Sequence, residues 1–299
     1  MDIRALRYFQ TVAECGSYSR GAEMLRISQP AVSRRIANLE QDLGVALFHR
    51  HGHGVNLTEA GQALLARSQE VLRTLEQARA EIRSTRFGPS GVITFAVPPA
   101  AAWFLVPPLV RRFGVTHPNV FLRVVGGFSS HIHEWLVRGQ ADIACLHDPL
   151  PQKGFEITPL MEEEVFLVGK AGTAPFRGTT IGIADLAEVP LLLPSRPNAS
   201  RRLLDGWAAR TGVTLNIRAE VDDHTIIRAL IRDGIGFSLL TRGAFDADLG
   251  AAAVQAWRFE PRAYWPLAAI RAADRARTPI LEAFHTALCE VAREVRSGG

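Results

Sequence analysis

Ser28-Gln29-Pro30-Ala31-Val32-Ser33-Arg34-Arg35-Ile36 reads as the start of a helix with two unlike faces. Ser28 is placed to cap it by accepting backbone N–H bonds. Pro30 falls in the first turn, where its missing N–H costs nothing. Val32, Ile36, Leu39 and Leu43 recur at i, i+4, i+7 and i+11 and make one apolar stripe for packing inward. The other face carries Gln29, Pro30, Ser33 and Arg34. Arg can pair with guanine O6/N7, Gln with adenine and Ser with phosphate oxygens, so this face predicts entry into a DNA groove.

The flanking segments extend that reading. Ser17 or Ser19 can cap a short helix running to about Leu25, with Ala22 and Leu25 inward. Arg26 to Ser28 then leave only a tight turn, the helix-turn-helix spacing. Downstream, Leu47-Phe48-His49-Arg50, the turn Gly52-His53-Gly54 and Val55-Asn56-Leu57-Thr58 predict a hairpin with basic residues at its tip, the wing of a winged helix. The residues expected to contact DNA are Ser17, Ser19, Arg20, Ser28, Gln29, Pro30, Ser33, Arg34, Arg35, Arg50, His51 and His53. For Arg35 a phosphate contact along the helix flank is the alternative to base readout.

The run Ala22, Leu25, Ser28-Gln29-Pro30, Ser33, Ile36, Leu39-Glu40, Leu43-Gly44, Leu47-Phe48, Arg50, Leu57-Thr58 and Ala60-Gly61 resembles the N-terminal domain of the LysR-type transcriptional regulators. Its motifs are dense over about the first quarter of the chain, and the remaining length fits the family's plan. One departure lies in the reading helix. Family members often carry Lys or Arg at the position of Ala37, so Arg34 and Arg35 take on more of the contact here, with Arg50, His51 and His53 contributing from the wing.

Composition agrees with that class. The 299 residues allow two or three compact units, and 34 Lys+Arg against 30 Asp+Glu give +4, too mild for a non-specific DNA coat. Lys153 and Lys170 are the only lysines, so the basic side is arginine, suited to bidentate phosphate and guanine contacts but equally a mark of genome composition. No apolar run is long enough to span a bilayer and residues 1–4 begin no signal peptide, so the expected location is cytoplasmic with no membrane partner. Cys15, Cys145 and Cys289 are odd in number and lack a CxxC pair, which argues against a disulfide scaffold; Cys145 reads as a small core residue in a buried strand.

After the wing, Thr58-Glu59 can cap a long helix over 59–86. Leu64, Ser68, Val71, Leu75, Ala78 and Ile82 alternate by four and three, a coiled-coil seam, whereas the simpler alternative is an amphipathic helix lying on its own domain. Dimerisation through Leu64, Val71, Leu75, Ala78 and Ile82 would set two reading helices on two half-sites. The resemblance further implies tetramers and contact with RNA polymerase. Phe87-Gly88-Pro89-Ser90-Gly91 breaks the helix and marks the hinge. The expected division is a winged helix over 1–58, a linker helix over 59–86, a hinge over 87–91 and a regulatory domain over 92–299.

Beyond the hinge, strands and helices alternate: strands over 92–97, 120–125 and 142–146, with helices over 103–115 and 130–138, predicting a mostly parallel sheet covered on both faces. Strands over 165–169, 191–193 and 234–240 and helices over 199–211 and 225–233 would make a second lobe. A strand over 267–271 and a helix from 279 to about 296 would return to the first. The fold class expected is thus multidomain α+β and α/β: a winged helix, a linker helix and a two-lobed α/β domain like a periplasmic binding protein. Lobe I would be 92–163 with 266–299 and lobe II 164–265, crossing near 160–164 and 260–266.

Ligands of open α/β sheets sit at the carboxyl ends of strands, here facing the cleft between lobes. The segments expected to line it are 98–102, 126–131, 147–148 and 195–201. The candidate effector-binding residues are Pro99, Ala100, Ala101, Ser129, Ser130, His147, Ser195, Asn198, Ser200, Arg201 and Asp223. Helix N-termini with hydroxyls form an anion site, so a carboxylate such as an organic acid is the expected effector, with Arg196 or Arg201 as charge partner. The alternative for each Ser or Asn is a plain helix cap. Where many LysR proteins have Ser or Thr in the first loop, this chain has Pro-Pro-Ala-Ala-Ala followed by Trp103, adding apolar wall. Its Pro-Pro, with Trp135-Leu136, is similar to the nitrogen-assimilation and cysteine-regulon branch.

Other classes find less support. His49, His51 and His53, and His131 with His133, alternate as metal ligands can, but no Cys or carboxylate completes either set. Gly236-Phe237-Ser238-Leu239-Leu240 lacks the last Gly of a nucleophile elbow, and no GxxxxGK[ST] occurs, so neither an enzyme nor a cofactor or metal is expected. A solute-binding transport protein would share the two lobes without the winged helix. A DNA-binding regulator with an empty, vestigial cleft is the remaining alternative.

Overall fold

Phe9, Val12, Val32, Ile36, Leu39, Leu47, Phe48 and Val55 close a small core in the N-terminal part of the chain. The computed structural model describes residues 1–51, 54–87, 90–250, 252–273 and 277–298, with the side chains of residues 50, 73, 76, 77, 80, 81, 83–87, 247, 250, 297 and 298 outside the described set. The wing-tip residues Gly52 and His53, the hinge residues Gly88 and Pro89 and the side chain of Arg50 therefore lie outside the described residues. The chain forms two compact units, one of Met1–Gly91 with Arg138–Gln140 and one of Val92–Val137 with Ala141–Gly299.

The first unit holds α1 (Ile3–Cys15), α2 (Tyr18–Leu25), α3 (Gln29–Leu43), β1 (Phe48–His51), β2 (Gly54–Leu57) and α4 (Glu59–Phe87). Asp2 caps α1 by accepting from Ala5 N at 2.7 Å, and Ser17 caps α2 by accepting from Arg20 N at 3.4 Å. Strands β1 and β2 pair antiparallel with Phe48 opposite Leu57 and His51 opposite Gly54. Val55 N donates to Gly16 O at 3.0 Å, which holds the wing on the turn between α1 and α2. Thr58 Oγ1 starts α4 by accepting from Gly61 N at 2.9 Å.

Three expectations change here. Ser28 sits at the N-cap of α3 with extended backbone, but its hydroxyl makes no capping bond. Its carbonyl serves instead, accepting from Ala31 N at 3.0 Å and Val32 N at 3.2 Å. Leu43 is 39% exposed, because the inward stripe of α3 runs out one turn before Gly44 ends the helix at φ 70°. The start of the expected dimer seam is used within the unit: Leu64 packs on the winged-helix core and Ser68 is buried.

The second unit is built from β3 (Gly91–Val97), α5 (Pro99–Thr116), β4 (Val120–Gly126), α6 (Ser129–Val137), β5 (Ile143–His147), β6 (Phe155–Lys170), β7 (Thr180–Ile181), β8 (Leu191–Leu193), α7 (Ala199–Thr211), β9 (Ile217–Glu220), α8 (His224–Arg232), β10 (Ser238–Thr241), α9 (Asp246–Gly250), β11 (Val254–Phe259), β12 (Tyr264–Ala272) and α10 (Pro279–Gly298). Its main sheet runs β4-β3-β5-β12-β6-β11-β7, with β10 also paired to β6. Strand β6 serves both lobes in one piece, and β12 pairs with it antiparallel from Tyr264 opposite Glu164 to Ala272 opposite Phe155.

The sheet is mixed rather than mostly parallel. Strands β3 and β5 are parallel, but β12 is antiparallel to both β5 and β6, and β10 and β11 are antiparallel to β6. The reason is topological: a chain that crosses between lobes twice returns in the opposite direction, and its return strand lies inside the sheet. Helix α5 begins at Pro99, four residues before the expected start, since Pro98 is extended and Pro99 at the first position is followed by three alanines of high helix propensity. Segment 98–102 is thus a helix start rather than a loop. Lobe I buries Phe95, Leu105, Leu109, Phe113 and Phe284 on one sheet face and Ile132, Leu136 and Ile270 on the other. Lobe II does the same with Leu167, Leu204 and Trp257, and with Phe166, Ile227 and Phe245.

Candidate functional site

Helix α3 turns Val32, Ile36 and Leu39 wholly inward. Gln29, Pro30 and Arg34 are exposed on the other side, with Ser33 half-buried at their edge. Gln29 and Ser33, like Pro30 and Arg34, are four apart, so the four share one face of consecutive turns. Ser19, Arg20 and Ser28 are exposed beside the turn, Ser17 is occupied as a cap, and His51 is exposed in β1. Arg35 lies on the flank, where its guanidinium donates to Asp2 Oδ2 at 3.2 Å. This favours the flank position over base readout for Arg35, because Asp2 holds the side chain towards the start of α1.

Within the second unit, two adjoining cavities of about 200 and 70 Å³ lie between the lobes and share Ser129, His147 and Ala199. The lobes are joined beside them. Ser129 Oγ in lobe I accepts from Ala199 N at the start of α7 at 3.1 Å. Arg202 Nη2, one turn further along α7, donates to Asp148 O at 2.6 Å and Asp148 Oδ2 at 2.7 Å. His147, at the carboxyl end of β5, lies 2.5 Å from Glu163 Oε2 on β6, and its ring centroid is 5.6 Å from that of Trp265 on β12.

The inner cavity is lined by Pro98, Pro99, Ala100, Phe128, Asn198, Ser200, Ile227 and Leu240 among others. Three residues that line it also carry a fully buried polar atom with no protein hydrogen-bond partner: Trp265 Nε1, Thr241 Oγ1 and His224 Nε2. A buried polar atom left without a partner is costly to the fold. Burial holds the His224 imidazole below its ordinary pKa, and nearby Arg228 acts in the same direction, against the carboxylates of Asp223 and Asp248.

Residues 3–62 match the family described as bacterial regulatory helix-turn-helix protein of the lysR family, and residues 87–293 match the LysR substrate binding domain. The chain belongs to the LysR family. It is a LysR-type, DNA-binding transcriptional regulator with an effector-binding domain. It is 32% identical over 84% of its length to the HTH-type transcriptional regulator BbuR of Bordetella bronchiseptica, covering 77% of that protein. It is 29% identical over 86% of its length to the nitrogen assimilation regulatory protein nac of Escherichia coli, covering 83% of it. Among solved structures it resembles the LysR regulator CbnR at a TM-score of 0.76 and 25% identity, over 98% of this chain and 99% of that one. Identity to nac is no higher than to BbuR, so the similarities assign no branch. The helix-turn-helix match also separates this LysR regulator from a transport solute-binding protein.

Of the expected effector residues, Pro99, Ala100, Ser129, His147, Asn198 and Ser200 line the inner cavity and Ser130 the outer one. Asn198 also caps α7, with its Oδ1 accepting from Ser200 N at 2.9 Å. Four others stand elsewhere. Ala101 is packed into the core of lobe I. Ser195 is bound through its N and Oγ to the carboxylate of Asp222. Asp223 caps α8 by accepting from Ile226 N at 3.0 Å. Arg201 is buried against Glu220, Asp205 and the carbonyl of Pro194, and Arg196 is paired with Asp205; neither is among the residues that line these two cavities. Sequence reasoning passed over Trp265, Thr241, His224, Glu163 and Arg202. The first and fourth lie on the two crossing segments, and polar or aromatic residues there were the signal available.

Proposed function

We propose that this LysR regulator binds promoter DNA sequence-specifically through the exposed face of α3 and that an organic acid held between its lobes adjusts that binding and DNA bending. The single observation that carries the DNA reading is α3 itself, whose buried Val32, Ile36 and Leu39 leave Gln29, Pro30, Ser33 and Arg34 together on the opposite face. The effector reading rests on the interlobe cavities and the polar residues that line them, Ser129, Ser130, His147, Asn198 and Ser200 among them. A ligand there acts only by binding one lobe arrangement better than the other. The bonds from Ala199 to Ser129 and from Arg202 to Asp148 exist when the lobes are together, so they bias that arrangement.

The dimer seam of this proposal is the middle of α4. Val71 is 49% exposed, Ala78 is exposed and Leu75 half-buried, an apolar row suited to a second copy. Two dimers would form the tetramer, acting in the cytoplasm with RNA polymerase as partner. Among the described residues, no helix is long and apolar enough to cross a membrane. Footprinting on the DNA upstream of the protein's own gene, in a salt series, tests the proposal. A protected near-palindrome with a longer protected stretch beside it supports it; protection no different from that on unrelated DNA overturns it.

A further inference from the structure

Resting on the DNA reading above, we infer that Asp2 is a built-in competitor of DNA for Arg35: its carboxylate holds the guanidinium in the free protein, and a backbone phosphate displaces it when α3 enters the groove. Arg35 Nη1 donates to Asp2 Oδ2 at 3.2 Å, joining the flank of α3 to the N-cap of α1. Among the described residues this is the one bond the guanidinium makes, which leaves its other N–H groups free for an outside acceptor. The carboxylate itself is fixed, because its Oδ1 accepts from Ala5 N at 2.7 Å as the cap of α1.

The pair is weak enough to exchange. Its side chains are 45% and 56% exposed, and an ion pair so open to water is screened by salt. A DNA phosphate offers the same guanidinium a bond from within a dense line of negative charge, and the counterions released add to the gain. The exchange leaves Asp2 ionised and without its arginine. The Ala5 N–H, the larger of the two influences that hold its carboxyl below the ordinary value, stays in place after Arg35 leaves. A negative charge beside the duplex then opposes binding. Capping alone does not call for that charge, since Asn and Ser cap as well as Asp. Asp42 supplies the comparison: a second exposed carboxylate, on α3, whose partner is the N-terminal ammonium at 2.9 Å rather than an arginine.

The test titrates the full-length protein against two fluorescent duplexes, one from upstream of its own gene and one of unrelated sequence, across a salt series. Wild type is compared with Asp2→Asn, Asp42→Asn, Arg35→Gln and the Asp2→Asn/Arg35→Gln double variant. Asn keeps the cap, and thermal melting confirms that each variant folds. We expect Asp2→Asn to tighten binding to both duplexes about three- to tenfold at low salt, and to steepen the slope of log K against log salt by up to about one. Asp42→Asn should give less, and the gain from Asp2→Asn should shrink to that level once Arg35 is gone. Equal gains from Asp2→Asn and Asp42→Asn, or an undiminished gain in the Arg35→Gln background, would reduce the effect to net charge and overturn the inference. Weaker binding by a folded Asp2→Asn would overturn it too, since Asp2 would then orient Arg35 instead of competing for it. If Arg35→Gln leaves both affinities unchanged, Arg35 meets no phosphate; the inference falls, while the reading of α3 through Gln29, Ser33 and Arg34 stands.

Discussion

The Oγ of Ser129 accepts a hydrogen bond from the backbone N–H of Ala199 at 3.1 Å, joining the first residue of α6 in lobe I to the first residue of α7 in lobe II. The start of a helix has N–H groups with no partner inside the helix, and here one of them is satisfied from the other lobe. Helix capping and lobe closure are therefore one interaction.

Ser129→Ala should consequently loosen the closed arrangement by about 0.5–1.5 kcal/mol. Effector response in a promoter-binding assay should be blunted, with ligand-free DNA affinity intact. Loss of DNA binding in the same variant would point to damage to the fold instead.

Arg202 and Asp148 form the second link, but with 39% and 37% side-chain exposure it is worth at most about 1 kcal/mol and is screened by salt. Arg202→Gln should reduce effector affinity a few-fold at low salt and less at high salt. An equal effect at both ionic strengths would assign Arg202 a contact with the ligand itself.

Arg34→Ala should weaken binding to the cognate site by about 1–3 kcal/mol and relax one base preference, if that guanidinium reads a guanine. Arg35→Ala should weaken binding evenly across sequences, as a phosphate contact would. Competition with single-base variants of the operator separates the two, and an unchanged preference in Arg34→Ala would remove it from the readout.

Gly61 lies in α4 where an added Cβ would stand 2.1 Å from the backbone oxygen of Leu47. Backbone cannot yield to that approach without parting α4 from the wing, so Gly61→Ala should destabilise the first unit by more than 1 kcal/mol and abolish DNA binding. A variant with normal Tm and normal DNA affinity would contradict this packing.

Acidification tests His224. Burial lowers its pKa in the fold, so between its ordinary value of 6.5 and the folded value the unfolded chain holds a proton that the folded chain does not. Stability should therefore fall as pH drops below about 6.5, and His224→Gln should flatten that slope in part. His285, also lowered chiefly by burial, contributes to the same window and keeps the slope from vanishing. Glu156, held down first by its bond to Arg271, acts separately: its stabilisation is present above the ordinary carboxylate pKa and is lost at lower pH. A pH profile identical in wild type and His224→Gln would show that His224 does not titrate differently on folding.

The winged helix was legible because its information is local. Periodicity placed Val32, Ile36 and Leu39 inward, Thr58 starts a helix through its own hydroxyl, and Gly44 ends one through its left-handed backbone. The helix over Ala199–Thr211 was likewise readable from its Asn cap and terminal Gly212. Cys145 read correctly as core: it is fully buried, and burial pushes its thiol pKa up, away from redox reactivity. Ser28 misled because an N-cap position does not oblige its side chain to bond, and Arg201 misled because residue type cannot reveal that Glu220 and Asp205 already hold it.

The reading helix, the turn before it and the hairpin follow from residues within a few turns of one another, which is why local sequence suffices to place them. The mixed sheet, in which β12 enters between β5 and β6, and the set of buried polar atoms left without a partner emerge only from the assembled fold. Trp265, Thr241 and His224 come from β12, β10 and α8, and whether a buried donor is satisfied depends on every atom that surrounds it in space. No local pattern carries that sum.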